Sequence, residues 1–158
     1  MYAKAPWLKD IRENYIEEEQ ECKDIVTPKG TKMQIVRCTL KSSSFIERMA
    51  RGTKQVTFTN AVDSIWWLAV VSGQVVGSCC CVITGNTARF KSDFMLEDLR
   101  GKGCYKALSD ARMEYAIDQN CSMATAFSSP MSQHQFFKDG FEVQSKKKNG
   151  IVFVRKVL

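Results

Sequence analysis

The segment from Asp93 to Leu108, DFMLEDLRGKGCYKAL, constrains the fold of this chain more than any other part. An apolar strand end and a short acidic turn lead into Gly101, Lys102 and Gly103, and apolar residues then recur at helical spacing. The first amides of a helix have no acceptor within the helix, and the helix dipole adds partial positive charge there. The segment therefore predicts a strand, a glycine turn and a helix N-terminus that together bind a phosphate or diphosphate.

Apolar runs bounded by turn residues predict the other elements of secondary structure. Strands are expected at residues 33–40, 65–71, 75–84, 87–96 and 122–127, with two more on either side of the turn at residues 146–150. Helices are expected after the polar residues 42–44, at residues 103–120 and at residues 130–139. This order predicts an α/β fold in which a mixed, mostly antiparallel central sheet is flanked by helices.

The first 30 residues are interpreted as a helical extension that precedes a domain at residues 31–158. Apolar residues between Trp7 and Lys23 lie at helical spacing, and a cluster of glutamates follows them, which is typical of an amphipathic helix. A turn at Thr27–Thr31 then ends the extension. The extension is expected to be a packing appendage, and the alternatives are partner docking and control of substrate entry.

Composition predicts a soluble cytoplasmic protein of one domain. There is no apolar run of about 18 residues and no signal-peptide pattern, so no membrane association is expected. The seven cysteines include three in a row, at residues 79–81, and neither a C-x-x-C pair nor more than one histidine is present. A disulfide framework and a metal site are therefore not expected. The three consecutive cysteines are interpreted as small apolar residues of a buried strand.

The charge is unevenly distributed along the chain. The net charge is +6, yet residues 1–24 carry 4 basic and 7 acidic side chains, so the remaining part is more basic than the whole. Such a domain suits phosphate groups, an acidic substrate or nucleic acid, and charge alone does not choose between them. The run Lys146–Lys148 is interpreted as a solvated hairpin tip, with nucleic-acid contact as the alternative.

Two sequence blocks resemble the GCN5-related N-acetyltransferase (GNAT) family. The run RGKG at residues 100–103 resembles the family signature [RQ]-x-x-G-x-[GA], although the sixth position, small in most members, is Tyr105. The segment Ser128–Val143 resembles the C-terminal pattern N-x-x-[AS]-x-x-x-[YF]-x-x-x-G-F. It matches the pattern at four positions, Ser132, Phe136, Gly140 and Phe141, and has Ser129 in place of the asparagine.

The resemblance implies the acyl-CoA N-acyltransferase fold and acetyl-CoA as cofactor. In the family, the loop and helix N-terminus hold the cofactor diphosphate, and a main-chain amide near the strand end polarises the thioester, here at Met95 or its neighbour. Many members use a tyrosine of the last helix as general acid, where this chain has Phe136. The implied cofactor-binding residues are Met95, Arg100, Gly101, Lys102, Gly103, Cys104, Tyr105, Ser129, Ser132 and Phe136.

Asp93 is the candidate general base. It lies two residues before Met95 and hence on the same strand face, where a carboxylate could accept a proton from an amine. The alternative is an aspartate that is solvated or salt-bridged to Arg89 or Lys91. Cys104, at the helix start, is expected to be a packed thiol rather than a reactive one.

Three functions are compatible with the sequence. The first is an acetyl-CoA-dependent N-acetyltransferase that acts on the amine of a small molecule or a protein. A homodimer is one possible assembly. The second is a DNA-base modification enzyme similar to the phage protein Mom, which the basic domain suggests. The third is a non-catalytic module that binds CoA or a partner, because Phe136 and Ser129 replace residues that the family commonly uses.

Overall fold

The computed structural model describes residues 21–39 and 64–158. Within these ranges the chain forms eight strands and two α-helices. The strands are β1 (Glu21–Val26), β2 (Lys32–Thr39), β3 (Ile65–Val71), β4 (Gln74–Thr84), β5 (Thr87–Met95), β6 (Met123–Ser128), β7 (Glu142–Lys146) and β8 (Val152–Val157). The helices are α1 (Cys104–Asp118) and α2 (Pro130–Lys138).

All eight strands form a single sheet in the order β1-β2-β3-β4-β5-β6-β8-β7. Every neighbouring pair is antiparallel except β5 and β6, which are parallel because α1 connects them. The consecutive cysteines of β4 are buried, and Cys79 and Cys81 belong to the core between the sheet and the helices. The predicted mixed, mostly antiparallel α/β fold is confirmed.

The prediction of a helix that continues to Lys23 is wrong at its end. Glu21–Val26 is a strand that pairs antiparallel with β2, with Cys22 opposite Val36. Both of those residues are buried, so packing against the sheet outweighs the helical pattern of the preceding residues. The rest of that helix and the short helix after residues 42–44 lie outside the described residues. Whether residues 1–20 form a separate extension stays a prediction.

The sheet opens between β5 and β6. These strands pair only over Thr87–Phe90 and Met123–Ala126, although β5 continues to Met95 and β6 to Ser128. We call the space beside Lys91–Met95 the β5–β6 gap. Ligands of α/β sheets commonly bind at the carboxyl ends of parallel strands, where the gap lies.

A β-bulge lies in β5 beside the gap. Lys91 pairs with Cys80 and Phe94 pairs with Ser78, so that Ser92 and Asp93 together face the single residue Cys79. Ser92 has a φ of 58°, in the left-handed region that non-glycine residues seldom adopt. A bulge of this kind bends the strand and changes the direction of the residues that follow it.

A buried ion pair lies beneath the bulge. Arg112 of α1 is fully buried, and its Nη1 and Nη2 donate to Asp93 Oδ1 and Oδ2 at 2.5 and 2.8 Å. Arg112 Nη1 also donates to the main-chain oxygen of Cys80 at 3.2 Å, and its guanidinium lies 4.2 Å from the centre of the Phe90 ring. The hydroxyl of Tyr105 donates to the same Asp93 carboxylate. One carboxylate therefore ties β5 to two turns of α1.

Tyr105 is neutral and Arg112 is charged near neutral pH. Burial raises the pKa of Tyr105 well above its ordinary value, and the Asp93 carboxylate raises it further. Burial alone would lower the pKa of Arg112, but Asp93 outweighs it and holds that pKa well above its ordinary value. The stability that comes from the neutral Tyr105 hydroxyl is therefore complete at neutral pH and is lost only as the pH rises above about 10, the ordinary tyrosine pKa.

Replacement of Asp93 should destabilise the fold strongly. Asp93→Ala leaves the Arg112 guanidinium buried without its counter-ion, so we expect the free energy of unfolding to fall by about 3–5 kcal/mol. Urea denaturation followed by circular dichroism measures it. The matched control is Asp110→Ala, which breaks the exposed pair of Asp110 with Lys106 and should cost less than about 1 kcal/mol. Equal effects of the two variants would show that the buried pair has no special role.

Candidate cofactor site

The N-terminus of α1 presents unpaired main-chain donors. The first hydrogen bond into the helix runs from Ala107 N to Gly103 O at 3.1 Å, so the N–H groups of Cys104, Tyr105 and Lys106 precede it. Within residues 21–39 and 64–158 these N–H groups meet no main-chain acceptor outside the helix. Gly103 is the N-cap residue and provides no side-chain acceptor. The arrangement therefore has the donors and the dipole direction that bind an anion.

The turn between β1 and β2 binds the loop Gly101–Gly103, which we call the glycine loop, through two hydrogen bonds. Thr27 Oγ1 donates to Lys102 O at 2.8 Å, and Lys29 Nζ donates to Gly101 O at 2.6 Å. The C=O and N–H of one trans peptide point in opposite directions. The N–H groups of Lys102 and Gly103 therefore point away from the turn, toward the side where the helix donors are exposed.

Gly103 is required at its position for two reasons. Its φ of 87° lies in the left-handed region, where a side chain is strained. A Cβ added at Gly103 would also lie 3.0 Å from Thr27 Cβ, a tight contact that would force Thr27 to shift. Gly101 has a φ of 75° but open space around it, so only its backbone conformation favours glycine.

Positive charge surrounds this loop. Arg100 and Lys102 are exposed, and Lys29 is placed beside them by its bond to Gly101. Arg100 Nε donates to Met95 O at 3.1 Å, so this side chain connects the loop to the end of β5. The loop, the strand end and three cations thus meet at one end of the sheet.

The main-chain N–H of Met95 points into the β5–β6 gap. Leu96 N donates to Val76 O at 2.8 Å, which makes Leu96 and Val76 a hydrogen-bonded pair of the antiparallel ladder. The adjacent pair, Met95 and Gly77, is then of the non-hydrogen-bonded kind, because the two kinds alternate. The N–H and C=O of Met95 accordingly point away from β4, toward the gap. The direction of the Met95 amide is thus known, and its role at a thioester stays a prediction.

The three predicted site residues of α2 differ in their surroundings. Ser129 is the N-cap residue, and its hydroxyl does not cap the helix. Ser132 is buried with its hydroxyl 2.8 Å from that of Ser128. Phe136 is also buried, and its ring centre lies 4.9 Å from that of Phe141, so it is a core residue. The cofactor roles of Ser129, Ser132 and Phe136 stay predictions.

The geometry at Asp93 favours a structural role. Both of its oxygens accept hydrogen bonds from Arg112, and Tyr105 donates a further one. The salt-bridge alternative therefore describes Asp93 better than a free base does, although its partner is Arg112 and not Arg89 or Lys91. Its role as general base stays a prediction.

Cys104 lies fully buried at the start of α1. Burial raises the pKa of its thiol, in spite of the nearby Lys102, which acts to lower it. A raised pKa disfavours the thiolate, the reactive form. This direction favours a packed cysteine.

The sequence did not indicate three of the residues that shape this site. Thr27 and Lys29 are far from the glycine loop in sequence and reach it only through the sheet order. Arg112 looked like an ordinary helix residue, although a charged residue on the apolar face of a helix is a usable signal. Tyr105 was expected from the resemblance, but its bond to Asp93 was not. Within the described residues, no group of three or more potential ligand side chains lies close enough to hold a metal ion. In the same ranges, no helix has the length and apolar character needed to span a bilayer.

Comparison with solved structures identifies the fold. No protein-family model matches the chain. No curated protein sequence matches it. Among solved structures, the GNAT domain of PAT from S. lividans superimposes with a TM-score of 0.64 at 14% identity, covering 87% of this chain and 97% of that one.

Two further solved structures contain coenzyme A. The PaiA N-acetyltransferase from Thermoplasma acidophilum, in complex with coenzyme A, has a TM-score of 0.56 at 13% identity, over 73% of this chain and 69% of that one. The N-acetylglutamate synthase from Neisseria gonorrhoeae, complexed with coenzyme A and L-arginine, has a TM-score of 0.59 at 11% identity, over 78% of this chain and 33% of that one. The resemblance of the two sequence blocks and the structural similarity lead to the same conclusion: the chain has the fold of the GCN5-related N-acetyltransferases.

Proposed function

We propose that the chain is an acyl-CoA-dependent N-acyltransferase that transfers an acetyl group from acetyl-CoA to an amine. The observation that carries the proposal is the group of main-chain donors at the start of α1, which lies beside the β5–β6 gap. The residues present fit the cofactor: the donors and cations suit a diphosphate, and the gap suits an extended chain. Proteins of this fold that bind coenzyme A support the same function.

Each part of the site has a task in this proposal. The N–H groups of Lys102, Gly103 and Cys104 bind the diphosphate, and Arg100 and Lys102 add charge to it. Bound acetyl-CoA supplies an acyl thioester, which an amine can attack directly. The N–H of Met95 donates to the developing oxyanion in the gap, where it is already oriented by the ladder.

Phe136 limits what this chain can do for the leaving group. Its ring is buried and has no proton to donate, so the thiolate takes a proton from another group or leaves without one. The same observation favours the alternative of a CoA-binding module without catalysis. An assay of transfer therefore has to accompany the assay of binding.

A large side chain at Gly103 should abolish cofactor binding. We expect acetyl-CoA to raise the melting temperature of the wild-type protein and to leave that of Gly103→Trp unchanged, because the indole would push against Thr27 and displace the loop whose amides bind the diphosphate. The matched control is Gly85→Trp. Gly85 also has a left-handed φ but has open space around it, so acetyl-CoA should still raise the melting temperature of this variant. Undiminished acetyl-CoA binding by a folded Gly103→Trp variant would refute the site.

The bond from Thr27 should contribute to cofactor affinity. Thr27→Val removes the donor to Lys102 O at nearly constant volume, so the glycine loop loses a bond worth about 0.5–1.5 kcal/mol. We expect the Kd for acetyl-CoA, measured by calorimetry, to rise about three- to tenfold. Thr27→Ser keeps the hydroxyl and should stay near the wild-type value. If the valine and serine variants bind equally, the turn does not orient the loop.

Acyl transfer is tested directly with labelled acetyl-CoA. The wild-type protein is incubated with a panel of small amines, lysine peptides and oligonucleotides, and the products are analysed by mass spectrometry. We expect at least one acceptor to gain the labelled acetyl group, and Gly103→Trp to give none. Binding of acetyl-CoA without transfer to any acceptor would instead indicate the non-catalytic module.

A further inference from the structure

The sheet face opposite the helices carries aromatic and cationic side chains. Side chains alternate between the two faces of a strand. Ala88 and Phe90 of β5 lie in the core under the helices, so Arg89 and Lys91 point to the other face. In the same way, Phe127 of β6 alternates with the buried Ala126. We call five residues of this face the sheet platform: Arg89, Lys91, Phe127, Phe153 and Arg155.

The aromatic part of the platform is a pair. Phe127 and Phe153 are opposite each other in β6 and β8, and their ring centres are 4.9 Å apart. Phe127 is 61% exposed, a large fraction for an aromatic side chain in the middle of a sheet. Phe153 is half-buried, so the pair presents mainly the Phe127 ring to solvent, as a surface on which planar groups can stack.

The cations of the platform flank this pair. Arg89 and Arg155 lie in one row across the sheet, on either side of Thr125. Lys91 follows Phe90, and Phe127 follows Ala126, at the point where β5 and β6 part. Rows of the same face are about 7 Å apart along a strand, so the charges are within reach of one bound chain.

The three cations have no ion-pair partner in the described part of the chain. Glu142 of β7 lies opposite Arg155 in the ladder, and the two do not form an ion pair. Arg89 and Arg155 are exposed and Lys91 is half-buried, so the group suits a partner that brings negative charge.

We propose that the sheet platform binds single-stranded nucleic acid, with bases stacked on Phe127 and Phe153 and phosphates at Arg89, Lys91 and Arg155. Single strands are recognised by this combination of aromatic stacking and a cationic surface. A second copy of the chain is a poor occupant, because a two-fold contact through this face would bring like charges together. An anionic membrane could contact the cations. The two rings, however, belong to strands within the sheet and would not insert into the lipid.

This surface goes beyond the proposed acyl transfer and does not depend on it. The platform and the glycine loop use different residues. Lys91 also borders the β5–β6 gap, so the tests below change only other platform residues. Substitutions at Arg89, Phe127 or Arg155 can therefore weaken nucleic-acid binding while acetyl-CoA binding is kept, and substitutions in the glycine loop can do the reverse.

The cationic contacts are tested by salt dependence. A fluorescent oligothymidylate of about 12 nucleotides, within the site sizes of single-strand binders, is titrated with the full chain at several salt concentrations. With three phosphate contacts, log K against log[salt] should have a slope of about −2, and Arg89→Ala or Arg155→Ala should each reduce it by about 0.7. The control Lys138→Ala removes an exposed cation of α2, outside the platform, and should leave the slope unchanged.

The aromatic contact is tested at Phe127. Phe127→Leu keeps an apolar side chain but loses the ring, and we expect affinity to fall about tenfold, within the range for loss of base stacking. Phe127→Trp keeps a ring and should bind as well as the wild type. Ile117→Ala, at an exposed apolar residue of α1, should have no effect.

Three results would overturn the proposal. One is absence of binding to the oligothymidylate at low salt. Another is equal affinity of the leucine and tryptophan variants at Phe127, which would remove stacking. The third is binding to phosphatidylserine vesicles that is lost in Arg89→Ala while the oligothymidylate does not compete, which would assign the surface to a membrane.

Discussion

The ion pair between Asp93 and Arg112 is the interaction on which the candidate site depends. It lies where β5 departs from regular pairing, and its two parallel bonds fix the bulge against α1. A buried pair of this kind gains little stability over an apolar pair, but loss of one partner is costly. We therefore infer that its value lies in specifying geometry: the bulge sets the direction of the strand up to Met95, and hence the direction of the amide that faces the β5–β6 gap.

The glycine loop is oriented by a separate part of the chain. The β1–β2 turn binds two loop carbonyls through Thr27 and Lys29, and the peptide planes then direct the N–H groups of Lys102 and Gly103 the other way. Rotation of either plane would turn a carbonyl, which repels a phosphate, toward the helix donors. The strand β1, predicted as the end of a helix, is thus the element that carries the turn to the loop.

The sequence predicted what local patterns encode and missed what distant contacts decide. Glycine at residues 101 and 103 before a helical pattern predicted the donors at the start of α1, and the apolar runs predicted seven of the eight strands. The partner of Asp93 could not be predicted, because Arg112 is distant in sequence and only the packing of α1 on β5 brings the two together. Cys22 in β1 was missed for the same reason, since its burial depends on pairing with β2.

Tyr105 shows how a departure from a sequence signature can be accommodated. The signature has a small residue at this position, and a large one beside the helix donors would block a diphosphate if it pointed at the loop. The Tyr105 ring instead points under α1, where its hydroxyl bonds to Asp93. The side chain therefore leaves the amides accessible and adds a donor to the carboxylate that fixes the bulge. In this chain, the position that is small in the family couples the N-terminal end of α1 to the strand that faces the β5–β6 gap.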